Sequence, residues 1–241
     1  MLGVGAILDA RPVQVLTLLV LAPLLATFAL ACTLRDNAQK TEHGADLPVW
    51  PLVRRPEVAA LLFACFLMSV AHGPLYTFYS IYLADHGYSR TVVGVLWSLG
   101  VVAEIGVFLL APRIFSRWSP NAVLIFSFAC AVARFAAIGW GVDSLPVLVG
   151  AQLLHAATFG SYHAAALGQV NRWFPGGRRS RGQALYTSLS FGAVGMLGGL
   201  GSGLAWDSLG AAWTFTAGSV CAALGLILVA ATTAATPGPK R

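Results

Sequence analysis

Two ionisable side chains stand inside long apolar runs of this chain. Glu104 lies in "WSLGVVAEIGVFLLA" and Arg134 in "FSFACAVARFAAIGW". A charge at mid-bilayer costs on the order of 2.5–3.5 kcal/mol on insertion scales, so each needs an interior site and a reason to be there. A carboxyl group in such a place can take up and release a proton, and a guanidinium matches a carboxylate in bidentate fashion. Glu104 is therefore the candidate proton-coupling group, and Arg134 the candidate partner of an anionic substrate. At 1.5 Å rise per residue the two backbones differ in depth by roughly 10 Å, which leaves a direct pair within reach. A static pair that only fixes helix register is the structural alternative.

A polar stripe accompanies them. Gln152, His155, Phe159, Tyr162 and Gln169 recur close to one face of a helix at 100° per residue, and a polar stripe on a span should face a water-filled cavity. His155 joins Glu104 as a candidate for proton coupling. Gln152, Phe159 and Tyr162 join Arg134 as candidates for substrate binding. His163 lies off this face and is expected to pack or to hydrogen-bond between helices. Upstream, "AHGPLYTFYSIY" places His72 and Tyr76 one turn apart beside Gly73-Pro74, where a missing donor and a ring clash should bend or break the helix. His72 and Tyr76 complete the substrate-binding candidates. The aromatic rings suit a phenyl-bearing ligand, a packed core or an interfacial belt equally well.

The elements that position these residues are read from hydropathy. A span needs about 20 apolar residues, and that template gives 13–32, 58–83, 91–111, 121–140, 145–170, 183–205 and 211–234, preceded by a short stub at 1–8. The sequence is 57% hydrophobic and 10% charged over 241 residues, against about 25% charged in soluble domains. The expected class is an all-α, polytopic helical membrane protein. Gly195, Gly199 and Gly203 recur at fours and are expected to let two helix backbones approach closely. Residues 33–57, with Pro48, Pro51 and Pro56, read as a solvated linker.

The net charge of +6 does not point to nucleic acid, because the basic residues are dispersed between spans. Arg54, Arg55, Arg113, Arg117, Arg172 and the "RRSR" run at 178–181 fall on one side, whereas Arg11 and Arg90 fall on the other. That bias puts the linker and the C-terminus in the cytoplasm. The "RRSR" run is topogenic first and a contact for anionic lipids second. Cys32, Cys65, Cys130 and Cys221 stand singly and read as small core residues, with no metal site and no cofactor implied. Glu104 is the one acidic residue within any complete span, and no nucleophile–base motif accompanies it, so an enzyme is not expected.

The chain also repeats itself. "LGVGAILD" at 2–9 and "LGSGLAWD" at 200–207 share the pattern L-G-x-G-x-x-x-D, and each precedes a long apolar run. Read as parallel repeats of a six-helix half, the chain comprises the end of a first half (1–32), a central cytoplasmic linker (33–57) and a complete second half (58–241). Asp9 and Asp207 are then loop-capping residues, and an N-terminal half is expected as the missing partner.

The stretch "HGPLYTFYSIYLADHGYSRTVVGVLWSLGVVAEIGVFLLAPRIFSRWS" at 72–119, with "RGQALYTSLSFGAVGMLGGLGSGLAWD" at 181–207, resembles the 3-phenylpropionic acid transporter family of the major facilitator superfamily. That family is related to lactose permease and nucleoside–proton symporters. The resemblance covers the chain as helices six to twelve of a twelve-helix carrier. It implies proton symport of a small organic acid, aromatic acids among them, across the bacterial inner membrane. Two departures stand out. His155 is followed three residues on by Thr158, where lactose permease carries a coupling Glu, and the "APRIFSRWSPN" loop lacks the Asp of the superfamily's loop motif. The competing reading is a membrane scaffold or regulatory fragment whose buried polar groups only lock helices together.

Overall fold

The computed structural model describes residues 15–33 and 48–235, together with Ile7. Helix α1 (Val15–Thr33) is followed, after a one-turn helix at Trp50–Val53, by α2 (Pro56–Asp85), α3 (Arg90–Arg117) and α4 (Pro120–Trp140). Next come α5 (Leu145–Leu153), a π-helical turn at Ala156–Ser161 and α6 (Tyr162–Trp173). The chain then runs through α7 (Arg179–Thr187), a second π-helical turn at Ser188–Gly192, α8 (Ala193–Leu209) and α9 (Ala211–Ala235). No strand occurs among the described residues, as an all-α class requires.

Local chemistry explains where the helices begin. Ser89 and Ser119 cap α3 and α4, their hydroxyls accepting from the amides of Val92 at 3.3 Å and Ala122 at 3.2 Å, which satisfies donors that a helix start leaves unpaired. Pro56 and Pro120 open their helices where a missing N–H costs nothing. Gly210, with φ at +83°, separates α8 from α9 in a left-handed turn that side chains disfavour. Asp207 lies inside α8, so the expected loop-capping role does not hold for it: Gly210 makes the turn. Asp9 and nearly all of the 1–8 stub lie outside the described residues.

Among the described residues four helices, Pro56–Asp85, Arg90–Arg117, Pro120–Trp140 and Ala211–Thr232, are continuous, long and apolar enough to cross a membrane. The expected spans at 145–170 and 183–205 are helical but interrupted, each by a π-helical turn. At Gly73-Pro74, where a bend or a break is expected, α2 continues through Pro74 without a break. Instead Gly73 lets α2 and α8 touch: a Cβ built on it would lie 2.5 Å from the Gly198 carbonyl oxygen. Gly199 and Gly203 face the same helix at ordinary contact distance from Thr77 and Phe78, so the tightest point falls one residue off the expected stripe. What packs against Gly195 lies outside what the structure describes.

In the packing, α9 lies against α4 and α2, α8 against α2, and α3 against α5 and the first π-helical turn. The core between them holds Met68, Leu75, Tyr79, Phe128, Phe135 and Phe215, all essentially inaccessible. Lipid tails are as apolar as these side chains, so close packing and buried hydrogen bonds hold the bundle more than exclusion from water does. The outward faces of α1 and α3 are apolar and exposed, including Leu25, Phe28, Val102 and Leu109. Cys65 is buried, Cys130 and Cys221 are half-buried, and Cys32 is exposed, so it is not the core residue expected.

Candidate functional site

Arg134 is the most deeply buried charge among the described residues, with 0% exposure. Its guanidinium is held on every side by neutral acceptors. Nε donates to the Ala151 carbonyl at 2.9 Å, Nη1 to Thr158 Oγ1 at 3.0 Å and Nη2 to Gln152 Oε1 at 3.3 Å. Nη1 also lies 3.5 Å from His72 Nε2. His72 can accept there because its Nδ1 is engaged with the Met68 carbonyl at 2.8 Å, which fixes the proton on Nδ1 and leaves the lone pair on Nε2. No carboxylate pairs with Arg134 among the described residues.

The direct pair between Arg134 and Glu104 is not formed. Glu104 turns to His155 instead, with Oε2 3.7 Å from Nε2. Two glycines allow this. A Cβ on Gly160 would lie 3.1 Å from Glu104 Cγ, and one on Gly100 would lie 3.1 Å from Gln152 Oε1 and 3.3 Å from His155 Cδ2. Helix α3 thus presses its backbone onto the first π-helical turn and delivers the carboxylate to the imidazole. Thr158, whose Oγ1 accepts from Arg134 and donates to the His155 carbonyl at 3.3 Å, links the guanidinium to the backbone of His155.

In front of Arg134 opens a cleft of about 200 Å³, far more than the roughly 10–15 Å³ needed to hold one water. His72, Tyr76, Phe159 and Tyr162 line it, as do Thr158, His163 and Ser190. Arg134 lies behind its His72 and Thr158 wall. Gln152 does not reach the cleft; it holds the guanidinium from behind. Both π-helical turns contribute to the lining, a common placement for a feature that survives in functional helices. The second turn is tied across to α2, where Ser69 Oγ donates to the Ser190 carbonyl at 2.6 Å.

The stripe expected along 152–169 is therefore divided. A π-helical turn carries an extra residue, so positions after it no longer keep the 100° register of positions before it. Gln152 and His155 face Arg134 and Glu104, Phe159 and Tyr162 face the cleft, and Gln169 leaves altogether to bond Asn121. His163 does hydrogen-bond between helices, its Nδ1 lying 3.0 Å from the Tyr186 hydroxyl, and it lines the cleft as well. Ser190 carried no sequence signal beyond being a hydroxyl in an apolar span, and Thr158 stood out only as the residue three positions after His155, where lactose permease carries a coupling Glu.

The described residues thus form an all-α bundle with helices apolar and long enough to cross a membrane, a cleft, a buried guanidinium and, beside it, a carboxylate–imidazole pair. The chain belongs to the MFS_1 like family, whose model matches residues 1–217. It is 34% identical over 185 residues, 76% of this chain and 48% of the relative, to a protein of Escherichia coli (strain K12) described as "Probable 3-phenylpropionic acid transporter". It is 28% identical over 160 residues, 66% of this chain and 38% of the relative, to the "Oxalate:formate antiporter" of Oxalobacter formigenes. The chain thus spans about half the length, or less, of these curated relatives. No solved structure matches it. These relatives are transporters rather than enzymes, and the resemblance to 3-phenylpropionic acid transporters read from residues 72–119 and 181–207 agrees with them.

Proposed function

We propose that this chain is the carboxylate-binding, proton-coupling portion of a secondary active transporter for a small organic acid, aromatic acids included. The observation that carries the reading is Arg134, a buried guanidinium whose partners among the described residues are all neutral. Such a site favours an incoming anion, because charge-assisted hydrogen bonds are about twice as strong as neutral ones. A substrate carboxylate entering the cleft replaces His72 and Thr158 as acceptors on Nη1, while Ala151 and Gln152 keep the guanidinium oriented. Tyr76, Phe159 and Tyr162 supply flat apolar walls for the rest of the molecule.

Glu104 and His155 hold the coupling proton. With Glu104 ionised, the region around Arg134 already contains an anion that competes with the substrate. With Glu104 protonated, the substrate carboxylate becomes the compensating charge, so proton and anion enter together. Proton symport follows from that exchange.

The same reading takes residues 58–241 as the second half of a major facilitator fold, residues 33–57 as the central linker and residues 1–32 as the end of the first half. The protein is placed in the bacterial inner membrane with its C-terminus in the cytoplasm, and a further helical half completes the cleft. Equilibrium binding of 3-phenylpropionate to the chain in lipid nanodiscs tests it. The acid should bind to wild type and not to Arg134→Gln. Equal binding by both proteins, or binding by neither, defeats the assignment.

A further inference from the structure

We infer that the junction of α3 and α4 binds an anionic phospholipid, with an acyl chain in an apolar groove between the two helices and the phosphate on Arg113 and Arg117. The groove encloses about 360 Å³, within the range of roughly 300–1,000 Å³ usual for ligand sites. Its lining is Ile114 and Trp118 at the end of α3, Ala122, Val123 and Phe126 at the start of α4, and Ser161 of the first π-helical turn. It shares no lining residue with the cleft in front of Arg134. Ser161 already donates to the Ala156 carbonyl at 3.3 Å, so the inner wall offers an occupant only apolar contact. Trp118 and Phe126 are 62% and 59% exposed, which leaves the groove open to the surroundings of the bundle.

The charge beside it is unpaired. Arg113 and Arg117 stand one turn apart on α3, each preceding a groove residue, and both are exposed. Among the described residues neither guanidinium has a carboxylate partner: α4 carries no acidic residue, and Glu104, the one acidic residue of α3, is turned to His155. Only Trp118 and Ser119 separate α3 from α4, so the groove lies at the level where the two spans end. Tryptophan favours that interface, and basic pockets between spanning helices suit phospholipid headgroups. A phospholipid supplies both an apolar chain for the groove and an anion for the arginines. A zwitterionic lipid carries its own cation beside the phosphate, which two guanidinia repel, so the site favours a lipid of net negative charge.

Quenching of Trp118 by chain-brominated phospholipids tests the site in the 241-residue chain reconstituted into bilayers. The sequence holds seven tryptophans, so the signal of Trp118 is taken as the difference between each protein and its Trp118→Phe counterpart. Brominated phosphatidylglycerol should compete for Trp118 at least about fivefold more effectively than brominated phosphatidylcholine, the order that one arginine near a lipid surface supplies. Arg113→Gln with Arg117→Gln should bring the two lipids within about twofold of each other; both side chains are exposed, so the fold is not at risk. Arg172→Gln with Arg179→Gln, exposed arginines outside the groove lining, should keep the preference. Ala122→Phe, which fills the groove, should reduce quenching of Trp118 by both lipids. Equal quenching of wild type by the two lipids overturns the inference, as does a preference that survives loss of Arg113 and Arg117. A preference lost equally on replacing Arg172 and Arg179 would make it a property of the whole basic surface and overturn the site, and unchanged quenching in Ala122→Phe would remove the acyl chain from the groove.

Discussion

Glu104 Oε2 lies 3.7 Å from His155 Nε2, although the two residues belong to different helices and Glu104 had a cation, Arg134, within nominal reach. The arrangement separates the two roles. Arg134 is left with neutral acceptors and is open to an anion, while the carboxylate that would otherwise occupy it is held one turn away by an imidazole.

The first prediction concerns that carboxylate. If Glu104 is ionised before binding and protonated after it, each anion bound brings about one proton with it, and affinity rises as pH falls by up to about tenfold per unit. Calorimetry of 3-phenylpropionate binding in buffers of different ionisation enthalpy counts those protons. Wild type should show uptake and Glu104→Gln none. Proton uptake that survives the substitution would remove Glu104 from the coupling role.

Helix α3 offers an internal comparison. A Cβ on Gly100 would press on Gln152 and His155, whereas one on Gly106 would meet nothing within 4 Å. Gly106→Ala should leave binding unchanged, with at most a small gain from helix propensity. Gly100→Val should disturb the guanidinium's support, weaken 3-phenylpropionate binding and cost about 1–3 kcal/mol in stability, typical of overpacking. Matched thermal melts and binding curves decide it, and indistinguishable variants would mean that the contact does not matter.

The composition and hydropathy made the helical class legible, charge within an apolar run singled out Glu104 and Arg134, and the polar stripe singled out His155. The partnership between them was not legible. Periodicity assumes a uniform 100° step, and the π-helical turn at Ala156–Ser161 breaks it midway along the polar stripe. Gln169 therefore fell on the predicted face but leaves it in space, whereas Ser190 and Thr158 reach the cleft or its wall because the widened turns place them there. Pro74 was the visible helix-breaking signal, yet α2 runs through it. Gly73 matters for a different reason, the approach of α8, which no single-helix pattern encodes.

Arg134→Lys separates charge from geometry. The ammonium keeps the charge but lacks the fork that reaches Ala151, Gln152 and Thr158 together. Affinity for 3-phenylpropionate should fall at least about tenfold, one decade per 1.4 kcal/mol. Arg134→Met should additionally melt earlier, because removing the donor leaves His72 Nε2, Gln152 Oε1 and Thr158 Oγ1 in a buried site at about 1–3 kcal/mol for each group unsatisfied. A lysine variant that binds as wild type would show that charge alone suffices and that the fork has no role.

Binding and transport should also separate. The cleft lies among α2, α6, α8 and the two π-helical turns, and some of its lining faces outward: Tyr76 is 54% exposed and Phe191 47%. Alternating access requires a second body that closes over such a surface and rocks against it. The 241-residue chain reconstituted into proteoliposomes at high dilution should therefore bind 3-phenylpropionate without accumulating it under an imposed proton gradient. Adding a separately expressed helical half that covers Tyr76 and Phe191 should restore uptake, and cysteines placed at those two positions should then become protected from a membrane-permeant thiol reagent. Gradient-driven accumulation by the dilute chain alone would mean that it is a complete carrier, with the exposed side of its cleft a lipid face.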